Sequence, residues 1–146
     1  MGVKAAVDVH YDEHGGYRAS CVIFRDWGDA SPLRVVAAEG SGVRPYRPGF
    51  FFERELPCLL DVLGRACSDI ETVVVDGYVH LAPGSGKGLG FHLYEALGRG
   101  TVVIGVAKSP LAIACDFTTI TRGASDRPLY VSCAGCALED AARWIA

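Results

Sequence analysis

Apolar and polar residues alternate over Val3 to His10, with Val3, Ala5, Val7 and Val9 interleaved with Lys4, Ala6, Asp8 and His10. A period of two predicts a strand with one buried face. The turn residues Asp12-Glu13-His14-Gly15-Gly16 lead into a second strand, Tyr17 to Phe24. A further turn, Trp27 to Pro32, precedes a third, Leu33 to Ala38, so the chain opens as an antiparallel meander. Glu39 to Pro48 is a loop rich in Gly and Pro. From Phe50 to Cys67 the period changes to that of a helix, with Phe52, Leu56, Leu59, Leu60 and Leu63 on one face. Pro57 within it predicts a kink, or a new first turn after Glu55.

The next run, Thr72 to Val75, is continuously apolar and β-branched, the pattern of a strand buried on both faces. It ends on Asp76-Gly77. A carboxylate costs several kcal/mol to bury unpaired, so Asp76 belongs at the strand's exposed carboxyl end. Leu81 to Gly88 is a Gly-rich loop, Leu89 to Leu97 a short helix, and Thr101 to Val106 a strand running into Ala107-Lys108-Ser109. Cys115 to Thr121 and Pro128 to Ser132 are predicted strands, and Leu138 to Ile145 a closing helix. A meander followed by alternating helices and strands predicts an α/β fold, a mixed sheet with helices on both faces. Residues 1–146 are expected to form a single domain.

Composition narrows the class. Of 146 residues, 50% are apolar and 21% charged, ordinary for a soluble globular chain. No apolar run is long enough to span a membrane, and the first residues do not form a secretory signal, so the cytoplasm is the expected compartment. The six cysteines are then expected to be reduced, most of them small buried hydrophobes. A net charge of −3 argues against bulk attraction to nucleic acid but leaves room for a local basic groove.

Three acids fall on separate elements: Asp8 in the first strand, Glu55 on the long helix and Asp76 at the end of the central strand. Hard cations such as Mg²⁺ take oxygen ligands, commonly one or two carboxylates with water and substrate phosphate. An acid within an apolar strand, as Asp8 is, calls either for such a metal or for a solvent-facing edge. Lys108 ends another apolar strand, where it either stabilises charge on a phosphate or is simply solvated. Gly84-Ser85-Gly86-Lys87-Gly88 misses two positions of the P-loop motif and reads as a substrate-contacting loop. Cys133-x-x-Cys136 has no second pair at zinc-site spacing and reads as two small core residues before the last helix.

The order Val7-Asp8-Val9-x-Tyr11, Pro45-Tyr46-Arg47-Pro48-Gly49-Phe50, Arg54-Glu55-x-Pro57, Val75-Asp76-Gly77, Gly88-Leu89-x-x-His92-Leu93, Ile104 to Ser109 and Pro128 to Ser132 resembles the endonuclease V family. The resemblance implies a ribonuclease-H-like fold and Mg²⁺-dependent cleavage of DNA or RNA on the 3′ side of inosine, with Mn²⁺ as a substitute ion. It implies that Asp8, Glu55 and Asp76 bind the metal and that Lys108 contacts the phosphate at the cut. Tyr46, beside Arg47 and Pro48, would belong to a wedge that separates strands, a role suited to an aromatic held between prolines. Gly77 and Gly88 to Gly90 would let backbone approach a flipped base, and His80 or Lys87, though not aligned with the family's pattern, would stand in as nucleic-acid contacts.

The chain departs from the family pattern in two places. After Asp76-Gly77 the family carries Gly-x-x-His-Pro-Arg, whereas here His80 comes two residues early and no arginine follows. After Ser132 the family's Gly-His pair is replaced by Cys133-Ala134-Gly135-Cys136. The chain is therefore expected to be a short, divergent relative and a monomer without membrane partners. Two alternatives stand beside the inosine endonuclease: a nucleic-acid-binding module without catalysis, and a nuclease for another DNA or RNA structure.

Overall fold

The structure, a computed structural model, describes residues 2–41, 51–66, 69–81 and 87–146, without side chains at 51–53. The Tyr46-Arg47-Pro48 segment, most of the Gly-rich loop, Phe52 and Cys67 lie outside the described side chains. The chain divides into two compact units, Met1–Glu71 and Thr72–Ala146.

In the first unit, β1 (Val3–Tyr11), β2 (Tyr17–Phe24) and β3 (Arg34–Gly40) form the expected antiparallel meander, with Val7 opposite Cys21 and Cys21 opposite Val36. The turn between β1 and β2 is fixed by Asp12, whose Oδ1 accepts hydrogen bonds from the amides of His14 at 2.8 Å and Gly16 at 2.9 Å. Those two bonds hold the Asp12 carboxyl below its ordinary range. Ala5 and Val7 are buried with Ala19, Cys21, Ile23 and Ala38 under α1 (Phe51–Arg65). Lys4 lies on the other face of β1, paired with Glu71 at 2.9 Å.

The helix corrects two expectations. It runs unbroken through an exposed Pro57, so no new helix starts there. Its buried stripe is Glu55, Cys58, Leu59, Val62 and Leu63, while Leu56 and Leu60 are only half-buried. The stripe is thus phased so that a carboxylate, Glu55, occupies a core-facing position.

In the second unit the part of β4 (Ile70–Asp76) from Thr72 onward pairs parallel with β5 (Val102–Ala107), and β5 pairs antiparallel with β7 (Leu129–Ala134). β6 (Thr118–Ile120) flanks β7, also antiparallel, so this part of the sheet is mixed. α2 (Leu89–Ala96) packs on β5 and β7, and α3 (Leu138–Ile145) on β7 and β6. Val73, Val75, Val79, Leu93, Val103, Ile104 and Val131 make the core. β6 is shorter than expected because the chain before it is engaged elsewhere. The Cys115 amide donates to the His80 carbonyl at 3.2 Å, Ala114 bridges Leu81, and Asp116 takes a left-handed φ of 54°. Among the described residues no helix is long and apolar enough to cross a membrane.

Past Asp76 the chain turns at Gly77, with φ +128°, and its amide donates to the Val106 carbonyl at 3.1 Å. This brings the Gly77 carbonyl over Gly105 in the middle of β5, where a Cβ would collide with it. A glycine inside a strand often marks such a close backbone approach. Gly105→Ala is expected to destabilise the protein by about 1–3 kcal/mol, the usual cost of overpacking a tight core position. A shift of the urea midpoint at unchanged slope would show it; an unshifted midpoint would mean that the turn relaxes freely.

Candidate functional site

Parallel strands end on the same edge of a sheet, so the β4–β5 pair presents two carboxyl termini side by side. Asp76, the last residue of β4, is exposed and lies opposite Val106. Lys108, the first residue beyond β5, is also exposed. The segments beyond these strands are tied together. The Tyr78 hydroxyl donates to the Ser109 carbonyl at 2.7 Å, and the Val79 amide donates to the Oγ of fully buried Ser132 at 3.0 Å. One edge therefore carries a carboxylate, an ammonium group and a glycine turn on a buttressed backbone.

The neighbouring expected contacts have defined surroundings. His80 Nε2 is 3.0 Å from the Cys133 carbonyl, and its ring lies 5.6 Å from that of Phe91. Gly88 is buried against the Tyr78 carbonyl, so the close approach its missing Cβ allows is to the chain's own backbone. Lys87 pairs with Glu95 at 2.9 Å, and together with Arg99 it draws the Glu95 carboxyl below its ordinary range. His92, on α2, is held below the ordinary imidazole value by burial and then by Lys87.

In the first unit Asp8 is exposed in β1 opposite Ser20, its Oδ1 accepting from the Val9 amide at 3.0 Å. Glu55 hangs from α1 and is 9% exposed. Beside it lies Tyr11, at the end of β1, with the Arg54 guanidinium stacked on its ring at 3.7 Å. The Tyr11 hydroxyl sits against Glu55 and Cys58, shut off from solvent but without a hydrogen bond of good geometry. Burial, then the Glu55 charge, pushes the Tyr11 phenol well above its ordinary value. Burial raises the Cys58 thiol too. Tyr11 carries no role in the sequence motifs, and Arg54, expected there as a phosphate contact, is instead stacked on its ring. The available signal was the phase of α1, which places Glu55 among apolar residues.

Among the described residues no three His, Cys, Asp or Glu side chains gather as a group that could hold a metal. Asp8 and Glu55 come from one unit and Asp76 from the other. Tyr46, Arg47 and Pro48 lie outside the described residues. Cys133 and Cys136 are free thiols, and Cys133 Sγ donates to the Cys136 carbonyl at 3.2 Å. Burial raises both thiols, Cys136 to about 12.

A family model described as Endonuclease V matches residues 2–144. The endonuclease V of Streptomyces coelicolor is 34% identical over 124 residues, covering 85% of this chain and 52% of the relative. That of Bacillus subtilis is 32% identical over 120 residues, covering 79% and 48%. The chain thus spans about half the length of the curated relatives it matches. The endonuclease V structure from Streptomyces avermitilis superposes with a TM-score of 0.73 at 28% identity, over 99% of this chain and 71% of that one. The Ciona intestinalis endonuclease V, in complex with a 24mer DNA containing an inosine followed by a ribo-adenosine, superposes with a TM-score of 0.79 at 17% identity. That alignment covers 97% of this chain and 75% of the Ciona chain. The fold is that of these structures, the ribonuclease-H-like α/β arrangement expected from the sequence.

What keeps α1 on the meander, and so places Glu55, includes Tyr17, whose hydroxyl donates to Asp61 Oδ2 at 2.6 Å while Arg65 Nε donates to Oδ1 at 3.0 Å. The hydrogen bonds from Tyr17 and Arg65 hold the Asp61 carboxyl below its ordinary 3.8, and the bond to Asp61 raises the Tyr17 phenol from 10.0 to about 12. The depressed carboxyl contributes stability that is complete above 3.8 and lost as pH falls through the folded value. The raised phenol contributes stability that is complete below 10 and lost as pH climbs towards 12. Tyr17→Phe should therefore flatten the stability profile in both windows, as read from denaturant midpoints across pH. A profile equally steep in the variant would exclude this bond as the cause.

Proposed function

The chain belongs to the endonuclease V family, and from that premise we propose that it is a metal-dependent endonuclease hydrolysing a phosphodiester 3′ to inosine in DNA or RNA. The observation that carries this reading is the edge of the β4–β5 pair, where exposed Asp76 and Lys108 end adjacent parallel strands. The Ciona relative's DNA, which contains inosine, supports the choice of substrate.

Asp8, Glu55 and Asp76 offer only carboxylate oxygens, the donors a hard cation prefers, and two of the three are open to a hydrated ion. They would hold Mg²⁺, or Mn²⁺ in its place. Bound there, the ion supplies Lewis acidity towards the phosphate and a more acidic water. Lys108 faces the charge that builds on the phosphate oxygens as water adds to phosphorus and the bridging oxygen leaves. Tyr46, with Arg47 and Pro48, opens the strand beside the lesion, while Gly77, His80 and Lys87 line the path of the nucleic acid and buried Gly88 shapes the loop behind them. In this reading the protein acts as a monomer with nucleic acid as its partner.

A second reading, a nucleic-acid-binding module without catalysis, draws on a specific observation. The family's Gly-His pair is replaced by Cys133 to Cys136, whose thiols stay protonated.

The test is cleavage of end-labelled single- and double-stranded DNA and RNA, with and without one inosine, in Mg²⁺. A cut displaced to the 3′ side of inosine is expected. Asp76→Ala should abolish it, and Lys108→Ala should slow it by about 10²–10³-fold, the cost of losing one stabilising group. Cutting that ignores inosine would keep the nuclease and remove the specificity. No cutting by the folded, metal-supplemented protein would leave the binding module.

A further inference from the structure

Two buried side-chain polar atoms among the described residues have no hydrogen-bond partner, the Tyr11 hydroxyl and Arg54 Nε. Both flank Glu55: Arg54 precedes it on α1, and Tyr11 reaches it from the end of β1. An unsatisfied buried polar group costs about 1–3 kcal/mol, so native proteins keep few of them. Two in one stacked pair beside a carboxylate are not accounted for by packing, since phenylalanine would fill the Tyr11 site without the cost.

The geometry points to Tyr11 as a positioning residue. Its hydroxyl, unpaired in the structure, donates to the Glu55 carboxylate once that group turns to the metal and so fixes the orientation in which Glu55 serves it, while the Arg54 guanidinium, stacked on the phenol ring at 3.7 Å, holds that ring in place. This deepens the nuclease reading and rests on it for the role of Glu55. Carboxylates that serve metals are themselves hydrogen-bonded, and such outer partners tune affinity and activity. Glu55 hangs from a helix and its oxygens are aimed by rotatable bonds, so a donor on a different element, β1, is what sets their direction. Asp8 lies three residues earlier on the same strand as Tyr11, so one strand supplies both a ligand and the group that orients another.

The test uses the full chain, Mn²⁺ alone as the probe, and Tyr11→Phe, Glu55→Gln and the double variant. Tyr11→Phe should keep or raise the thermal midpoint, because the hydroxyl it removes is unpaired. It should weaken Mn²⁺ binding, measured by electron paramagnetic resonance, by about 10-fold. On the inosine substrate kcat should fall by a similar factor with KM unchanged. In the Glu55→Gln background the substitution should have no further effect on Mn²⁺ affinity. Unaltered Mn²⁺ affinity in Tyr11→Phe, or an undiminished effect when Glu55 is already Gln, would overturn the assignment. So would a wild-type protein that binds no Mn²⁺. A wild type that cuts nothing, yet shows the Mn²⁺ effect and its loss in the double variant, would sink the nuclease reading and uphold the role of Tyr11.

Discussion

The parallel pairing of β4 with β5 is the constraint on which the second unit depends. Parallel neighbours cannot be joined by a hairpin, and a crossover is required. Here the connection runs through Tyr78, the Gly-rich loop and α2 before β5 begins. The same pairing puts the ends of both strands on one edge and so decides where Asp76 and Lys108 stand. Glycine follows at the points of closest approach. Gly105 admits the Gly77 carbonyl, and Gly88 admits that of Tyr78. Ser132, buried in β7, then satisfies the Val79 amide that the turn leaves without a strand partner.

In the first unit the corresponding constraint is a charge on the buried side of a helix. α1 presents Glu55, Cys58, Leu59, Val62 and Leu63 to the meander, so the stripe that drives docking also carries a carboxylate inward. Leu59 and Val62 supply the apolar burial. Tyr17, Asp61 and Arg65 fasten the helix a turn and a half further on. Glu55 thereby stands among Tyr11, Arg54 and Cys58.

Most of the strands could be read in the sequence because their periods were clean. β2 occupies Tyr17–Phe24 as expected, and α3 Leu138–Ile145. The misreadings share a cause in tertiary contacts that local pattern does not register. Cys115 bonds the His80 carbonyl instead of extending β6, and β7 continues to Ala134 because Cys133 and Ala134 find partners in Ile104 and Val103. The phase of α1 is masked by its leucines, since Cys58 and Val62 are buried with Leu59 and Leu63 while Leu56 and Leu60 are only half-buried. Of the site, Asp76 and Lys108 were legible as charges ending apolar strands. The surroundings of Glu55 were not, since Tyr11 is far from it in sequence and only the fold brings the two together.

Carboxylates on separate elements stand at the centre of this account, within a chain that spans about half the length of the curated relatives it matches. Its central claim is that they hold a metal ion. Anomalous diffraction at the manganese edge from crystals soaked in Mn²⁺ tests that claim most directly. The prediction is a manganese peak at the carboxylate oxygens of Asp76, or at those of Asp8 and Glu55. A saturating soak that leaves these carboxylates without a peak, or that places manganese only elsewhere, would contradict it.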